Sequence, residues 1–332
     1  MEITATQQSK AIQLQKRTLV IVLNWNKPKQ TRVCLDSITR LNGCYDVLVI
    51  DNGSNDDKRE DLIKIISDDY KATIINNDAD GSTFPVDCAA GTKVYIMLIN
   101  YNSGYAIGNN YGLRFSRRAR YEFSLISNND IEITDINVLT DLERTLDLDN
   151  KYAWTAPKIV GVNGKPEGPF AKTNISELFF KKGILFPYWL AFLRKHEVRV
   201  NNNMSTKFNN NELEPYIFGG SFGLFRNSAL DDVGYFDEHT FLYTEEQILS
   251  ERLHNKGYLL KYTPNTEILH KHDYRNDGLN FRLELTFLRS RIYYYHKYRG
   301  YGKLTLLAGA ASRIFWLVFF KPAIVCAKKI IQ

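Results

Sequence analysis

Sulfur is scarce in this 332-residue chain. There are only four cysteines, Cys34, Cys44, Cys88 and Cys326, and none sits at the short spacings that hold zinc or an iron–sulfur cluster. Four thiols in a chain this long also exclude a small disulfide scaffold, and a reduced, cytoplasmic setting is the expectation. Long hydrophobic runs are missing as well. The longest unbroken one, Ile314–Phe320, falls far short of the ~20 residues that cross a bilayer. The opening MEITATQQSKAIQLQKR has no apolar core of the kind a signal peptide needs, so export is not expected. LNWNKPKQ after the first apolar run is not a Gly-rich, cation-bearing triphosphate loop, which weighs against a nucleotidyltransferase.

What is present is apolar and aromatic. Hydrophobic residues make up 44% of the chain, with 20 Tyr and 19 Phe, enough for a full core in one large domain. The net charge of +6 is unevenly placed. From Arg282 to Gln332 there are ten Lys or Arg and one acid, against 33 cations and 36 acids elsewhere. A basic tail on a slightly acidic body implies an anionic partner, either nucleic acid or a membrane surface.

Phe123–Ile133 (FSLISNNDIEI) organises the rest. It reads as a buried strand ending abruptly in Asn128-Asn129-Asp130. Amide and acid side chains at the carboxyl end of a parallel strand face the crevice where open α/β sheets bind ligands. Asp130 with Asn128 suits Mg²⁺ or Mn²⁺ carrying a diphosphate, while a plain polar turn is the competing reading. Thr18–Leu23 (TLVIVL) and Val47–Ile50 are further continuous runs of the kind buried on both faces of a parallel sheet. Helices are expected from about Pro28, with Asn26 as cap, and around Asp61–Ile66, with strands near Ala72–Ile75 and Val94–Asn100. That rhythm is βαβ. Asn76–Lys93 is a Gly/Asp-rich irregular connection.

The motifs VIVLNWN, VLVIDNGSND, NSGYAIGNNYGL and LISNNDIEI, in this order, resemble the nucleotide-sugar half of family 2 inverting glycosyltransferases. Their wording is nearest to bacterial rhamnosyltransferase-like enzymes. The resemblance implies a GT-A (Rossmann-like) α/β fold, a mixed, mainly parallel sheet flanked by helices, over residues 18–275. Residues 18–133 would be the donor half and 134–275 the acceptor half. Residues 1–17 would be an extension, and 276–332 a basic amphipathic helical tail that associates with membrane.

Carried over residue by residue, the family implies that Leu23, Asn24, Trp25 and Asn26 lie against the nucleoside. Asp51, beside Asn52, would accept from the imide N–H of a pyrimidine, although an Asx-turn explains Asp51 too. Gly104 would line the donor pocket with Asn109 and Asn110 as hydroxyl or phosphate contacts, and Asn128, Asn129 and Asp130 take the place of the acidic metal motif. The first acid of that motif is Asn128 here, which leaves dependence on Mg²⁺ or Mn²⁺ open. His270, at the end of the last expected strand, would return to the metal, with His272 two residues on.

In the second half, strands are expected at Trp154–Val160, Ile217–Phe225, Tyr258–Tyr262 and Thr266–His270, with a helix around Asp135–Leu146. GVNGKPEG reads as a turn, Leu178–Leu193 as either core helix or membrane-facing surface, and Asn201–Asn211 as a mobile loop. Gly219 and Gly220 resemble the family's acceptor-side strand. Thr244-Glu245-Glu246-Gln247 has capping-box spacing, a full structural explanation of its acids. It also stands where the family carries its catalytic base, for which Glu246 is favoured over Glu245. In the tail, Thr286–Tyr298 and Leu304–Gln332 are helical candidates. Arg313 near the centre of a span would cost about 2.5–3.5 kcal/mol, so an interfacial helix fits better, and its apolar clusters argue against nucleic acid.

The expected activity is transfer of a sugar, rhamnose as a family-level guess, from a dTDP- or UDP-linked donor to a lipid-linked saccharide. It would serve bacterial surface polysaccharide (O-antigen or capsule) assembly on the inner face of the cytoplasmic membrane. A non-catalytic nucleotide-sugar-binding module and a nucleotidyltransferase are the rivals.

Overall fold

The computed structural model describes residues 15–78, 88, 91–173, 175, 215–272 and 280–319. The Leu178–Leu193 and Asn201–Asn211 segments, most of the 76–93 connection and the last residues of the tail lie outside these. Among the described residues the chain runs β1 (Thr18–Asn24), α1 (Pro28–Ile38), β2 (Tyr45–Asn52), α2 (Asp56–Tyr70), β3 (Thr73–Ile75), β4 (Val94–Ile99), α3 (Gly104–Arg118) and β5 (Phe123–Asn128). It continues through β6 (Ile131–Ile133), α4 (Val138–Asp147), β7 (Tyr152–Gly161), β8 (Phe222–Arg226), α5 (Asn227–Val233), α6 (Glu245–Asn255), β9 (Leu259–His270), α7 (Phe281–Lys297) and α8 (Lys303–Phe319).

The strands form one sheet in the order β3-β4-β2-β1-β5-β8-β7-β9-β6. β1 pairs in parallel with β2 on one side and β5 on the other, so the strand order reverses at β1. That reversal opens a crevice beyond the carboxyl ends of β1 and β5. Alternation along β1 fills both faces. Leu19 and Ile21 join the cluster that includes Leu113 and Phe115 of α3, whereas Val20 and Val22 join the one that includes Leu35, Ile38 and Leu62 under α1 and α2. These apolar runs are buried on both faces for that reason.

Three expectations change. β9 is one strand of twelve residues, not two, because it crosses Pro264 by shifting register against β7 near Pro157 and Lys158. Ile217–Gly220 is not strand. Ile217 makes a single bridge with Phe170, and pairing starts only at Phe222. Cys44 and Cys88 form a disulfide, against the expectation of reduced thiols. They are 44 residues apart, and pairing cannot be read from spacing.

Burial also extends to residue 16, ahead of β1. Lys16 is 1% exposed and its Nζ donates to Asp46 Oδ1 at 2.5 Å, while Tyr121 Oη and the Lys93 amide donate to the same carboxylate. Lys16→Met would strand Asp46 as a buried charge without its cation, and a loss of about 3–5 kcal/mol in denaturant unfolding is expected. Lys16→Arg should recover part of it.

Candidate active site

The carboxyl ends of β1, β2 and β5 bring their polar residues together, but most of these bond to one another. Asn24 Nδ2 donates to Asp51 Oδ1 at 2.9 Å, Ser54 Oγ to the same oxygen at 2.5 Å, and Arg59 Nε to Oδ2 at 2.9 Å. With the Ser54 amide 3.4 Å from Oδ2, the four acceptor positions of the fully buried Asp51 are taken. Asp51 is therefore a node of the crevice floor rather than an open acceptor for a base. Asn24 Oδ1 accepts from Thr31 and Asn129, and Asn52 holds Ser103 and the Gly104 carbonyl. Asn26 caps nothing: φ is 56° and its side chain accepts the Asn55 amide. What faces outward is Trp25, 52% exposed, with Leu23 and Asn128 partly open.

The α3 residues are corrected too. Asn109 and Asn110 are fully buried. Asn110 accepts the Phe236 amide and donates to the Phe236 carbonyl and Glu238, tying α3 to the 236–238 loop. Asn109 donates to the Tyr105 carbonyl. Gly104, at φ +84°, meets this chain's own backbone. A Cβ there would lie 2.3 Å from the Phe241 carbonyl, which accepts the Tyr105 amide. The glycine lets the two backbones meet.

A cavity of about 630 Å³ opens beside this floor, and its lining includes Tyr105, Asn128, Gly219, Gly220, Glu246 and His270. The turn after β5 carries Asp130, the last residue of β9 is His270, and His272 follows two residues on. One ligand atom from each of the three lies within 4.8 Å of the others. His270 Nε2 is 3.1 Å from Asp130 Oδ1, and His272 Nδ1 is 3.4 Å from Oδ2. Burial alone would raise Asp130, but the bond to His270 and the charge of both rings outweigh it and hold the carboxyl below its ordinary range. Burial would lower His270, yet hydrogen bonds to Asp130 and Glu167 keep it up at about 9. One carboxylate and two imidazoles converging within this distance could hold a divalent metal ion. Asn128 lines the adjoining cavity, and Asn129 donates to Thr31.

Helix α6 starts with Glu245 and Glu246. The capping box does not form. Thr244 sits at φ 69° and its hydroxyl donates to the Tyr243 carbonyl instead. Glu246 reaches under Gly220, where an added Cβ would lie 2.1 Å from Oε1. Burial raises Glu246, and backbone amides at Glu246 and Gly220 pull it partly back. Tyr105 Oη donates to the Gly220 carbonyl, fixing this approach. Glu245 is 1% exposed, and neither of its oxygens has a hydrogen-bond partner among the described residues. Burial, then the charge of Glu246, drives it well above the ordinary carboxyl range. Both carboxyls are thus raised, Glu245 further than Glu246.

Stability should follow. Folded Glu245 keeps its proton where the unfolded chain has lost it, above about pH 4.3, so stability falls as pH rises through that window. Glu245→Gln removes the loss. Its unfolding free energy, read by denaturant unfolding, is expected to match wild type near pH 4 and exceed it at pH 7–8, by roughly 1.4 kcal/mol for each unit the carboxyl is displaced.

Sequence reasoning missed Tyr105 and Glu167. Tyr105 follows a glycine at a helix start, and Glu167 lies in a stretch read only as a turn.

No family model matches the chain. N-acetylglucosaminyl-diphospho-decaprenol L-rhamnosyltransferase from two strains of Mycobacterium tuberculosis is 35% identical over 92 residues, 26% of this chain and 27% of the relative. The chain thus matches about a quarter of the length of that curated relative. Across almost the whole chain, the structure superposes on mannosyltransferase PcManGT from Pyrobaculum calidifontis, solved with GDP-Man and Mn²⁺. The TM-score is 0.53 at 14% identity, covering 93% of this chain and 72% of that one. The fold is that of the GT-A glycosyltransferases. S. aureus TarS 1-349 with UDP-GlcNAc is a second such neighbour, with TM-score 0.50, 15% identity, and 90% and 72% coverage. The mixed strand order is that of the GT-A sheet.

Proposed function

We propose that this protein transfers a sugar, with inversion, from a nucleoside-diphosphate donor to a hydroxyl of a lipid-linked saccharide. One observation carries the proposal: His270 and His272 of the three-residue metal-type cluster border the same cavity as a raised carboxyl, Glu246. The acceptor hydroxyl attacks the anomeric carbon, and Glu246 takes its proton as the new C–O bond forms. The bond from that carbon to the diphosphate oxygen breaks with its electron pair, and the nucleoside diphosphate leaves. Asp130, His270 and His272 would hold a divalent cation, which when bound supplies positive charge against the departing diphosphate. Gly220 leaves room for Glu246, and Tyr105 holds the Gly220 backbone in place. Trp25 and Leu23 offer the nucleoside an open apolar face.

The finer assignment draws on the relatives. PcManGT was solved with a nucleotide sugar and Mn²⁺, and the mycobacterial relative is named for a rhamnosyl donor and a lipid-diphosphate acceptor. A dTDP- or UDP-linked deoxyhexose and a polyprenyl-linked acceptor, as in O-antigen or capsule assembly, are the corresponding donor and acceptor here. Release of nucleoside diphosphate from a panel of nucleotide sugars, with Mn²⁺ and a lipid-linked acceptor, tests the proposal. Turnover with one donor supports it. Tight donor binding without turnover makes the protein a binding module.

Membrane contact at the inner leaflet is part of the proposal. Among the described residues no helix is long and apolar enough to cross a membrane. However, α8 buries Leu306 and Leu317 while leaving Leu304, Leu307, Ile314, Phe315, Val318 and Phe319 exposed. That stripe, in a tail of ten cations and one acid, suits the interface of an anionic bilayer. Leu307→Glu with Phe315→Glu is expected to lower co-sedimentation with anionic vesicles at least ~10-fold. Turnover of a short water-soluble acceptor should be unchanged.

A further inference from the structure

His270 stands between two carboxylates. Its Nε2 faces Asp130, and its Nδ1 is 2.6 Å from Oε2 of Glu167. No motif contains Glu167, and its backbone lies outside the nine strands. We propose that Glu167 is the positioning residue of the metal cluster: it accepts the Nδ1 proton of His270, fixes the ring and its tautomer, and so presents the Nε2 lone pair to a divalent cation. The inference rests on reading Asp130, His270 and His272 as that cation's ligands.

The local chain is built to hold this carboxylate still. β7 ends at Gly161, opposite His270 on β9. The chain then turns back on itself, with the Gly161 amide donating to the Lys165 carbonyl and the Glu167 amide to the Ile159 carbonyl. Immediately after Glu167, the Phe170–Ile217 bridge pins the far side. The carboxylate crosses directly over Gly161, where an added Cβ would stand 2.7 Å from Oε1. A side chain at 161 would therefore force the Glu167 carboxylate to shift. The side chains of Glu167 and His270 are 20% and 8% exposed, so their hydrogen bond is largely shielded from competing water.

An imidazole can serve a metal only through a nitrogen that carries no proton. A carboxylate on the opposite nitrogen holds the remaining proton there, keeps the ring from rotating and raises the basicity of the ligating nitrogen. Asp130 cannot do this for His270, since it lies on the ligating side.

The test is Mn²⁺ affinity, measured by calorimetry and by the free-ion EPR signal, on the full-length protein without donor or acceptor. Glu167→Ala is expected to bind Mn²⁺ about 10–100-fold more weakly than wild type. Glu167→Gln keeps an oxygen that can accept from Nδ1 and should fall between the two. Gly161→Ala leaves both partners in place and should weaken binding through displacement alone, which keeps the test valid if Glu167→Ala folds poorly. Thermal midpoints without metal identify any variant whose fold has changed. Asp130→Ala separates the two levels of inference. If Asp130→Ala loses the ion while Glu167→Ala and Gly161→Ala hold it at wild-type affinity, Glu167 is only a turn residue and the inference is overturned. If wild type and Asp130→Ala behave alike, the metal site itself is wrong, and the role of Glu167 falls with it.

Discussion

Glu246→Gln is expected to lower the transfer rate about 10²–10⁴-fold, the range that a positioned general base contributes. Donor affinity should change little, because the proposal assigns Glu246 to the acceptor's proton and the diphosphate to the Asp130, His270 and His272 cluster. Gln keeps the shape that fits beneath Gly220, so the loss measures proton acceptance rather than packing. The pH dependence gives a second signature. Burial raises the Glu246 carboxyl, and only its ionised form can take a proton. The wild-type rate should therefore climb with pH through a window above that of an ordinary glutamate, and Glu246→Gln should lack that limb. A Glu246→Gln variant that turns over at the wild-type rate would leave the residue with no part in catalysis.

Asp130→Ala should abolish activation by Mn²⁺ and weaken the ion by at least ~100-fold, since outer partners of ligands alone are commonly worth 10–100-fold. Two effects combine. The only carboxylate of the three-residue cluster is lost, and with it the negative charge on the ligating side of His270. Wild-type affinity should also depend on pH. Without metal His270 is held protonated up to about 9, so a cation must displace that proton, and apparent affinity falls as pH drops. Mn²⁺ titration of both proteins at two pH values measures both claims. Equal affinity in wild type and Asp130→Ala would contradict them.

The parallel half of the sheet could be read from the chain because its physics is local. Thr18–Leu23 and Val47–Ile50 are uninterrupted apolar runs, and only strands covered on both faces need them. The joining of Asp130 to His270 was not local: the two are 140 residues apart, and only the resemblance to a family linked them. Where expectation failed, the reason was partnership. Asp51 looked like an open acceptor because its donors, Asn24, Ser54 and Arg59, come from three different elements of the chain. Asn109 and Asn110 follow glycines in a helix that could have faced the crevice, and nothing local says that Asn110 instead bonds to Phe236 and Glu238. Glu167 gave no signal, since a turn containing Gly and Pro needs no function to explain it. The capping box at Thr244 was a correct pattern that the αL backbone of Tyr243 and Thr244 prevents.

The most direct test is a crystal structure of the protein soaked with Mn²⁺ and a nucleoside diphosphate, with anomalous scattering used to locate the ion. A single peak at coordination distance from Asp130, His270 and His272, touching the diphosphate and opening onto the cavity that Glu246 lines, is the expected result. A peak elsewhere, or a diphosphate bound away from that cavity, would contradict the assignment of this cleft as the place where the sugar changes hands.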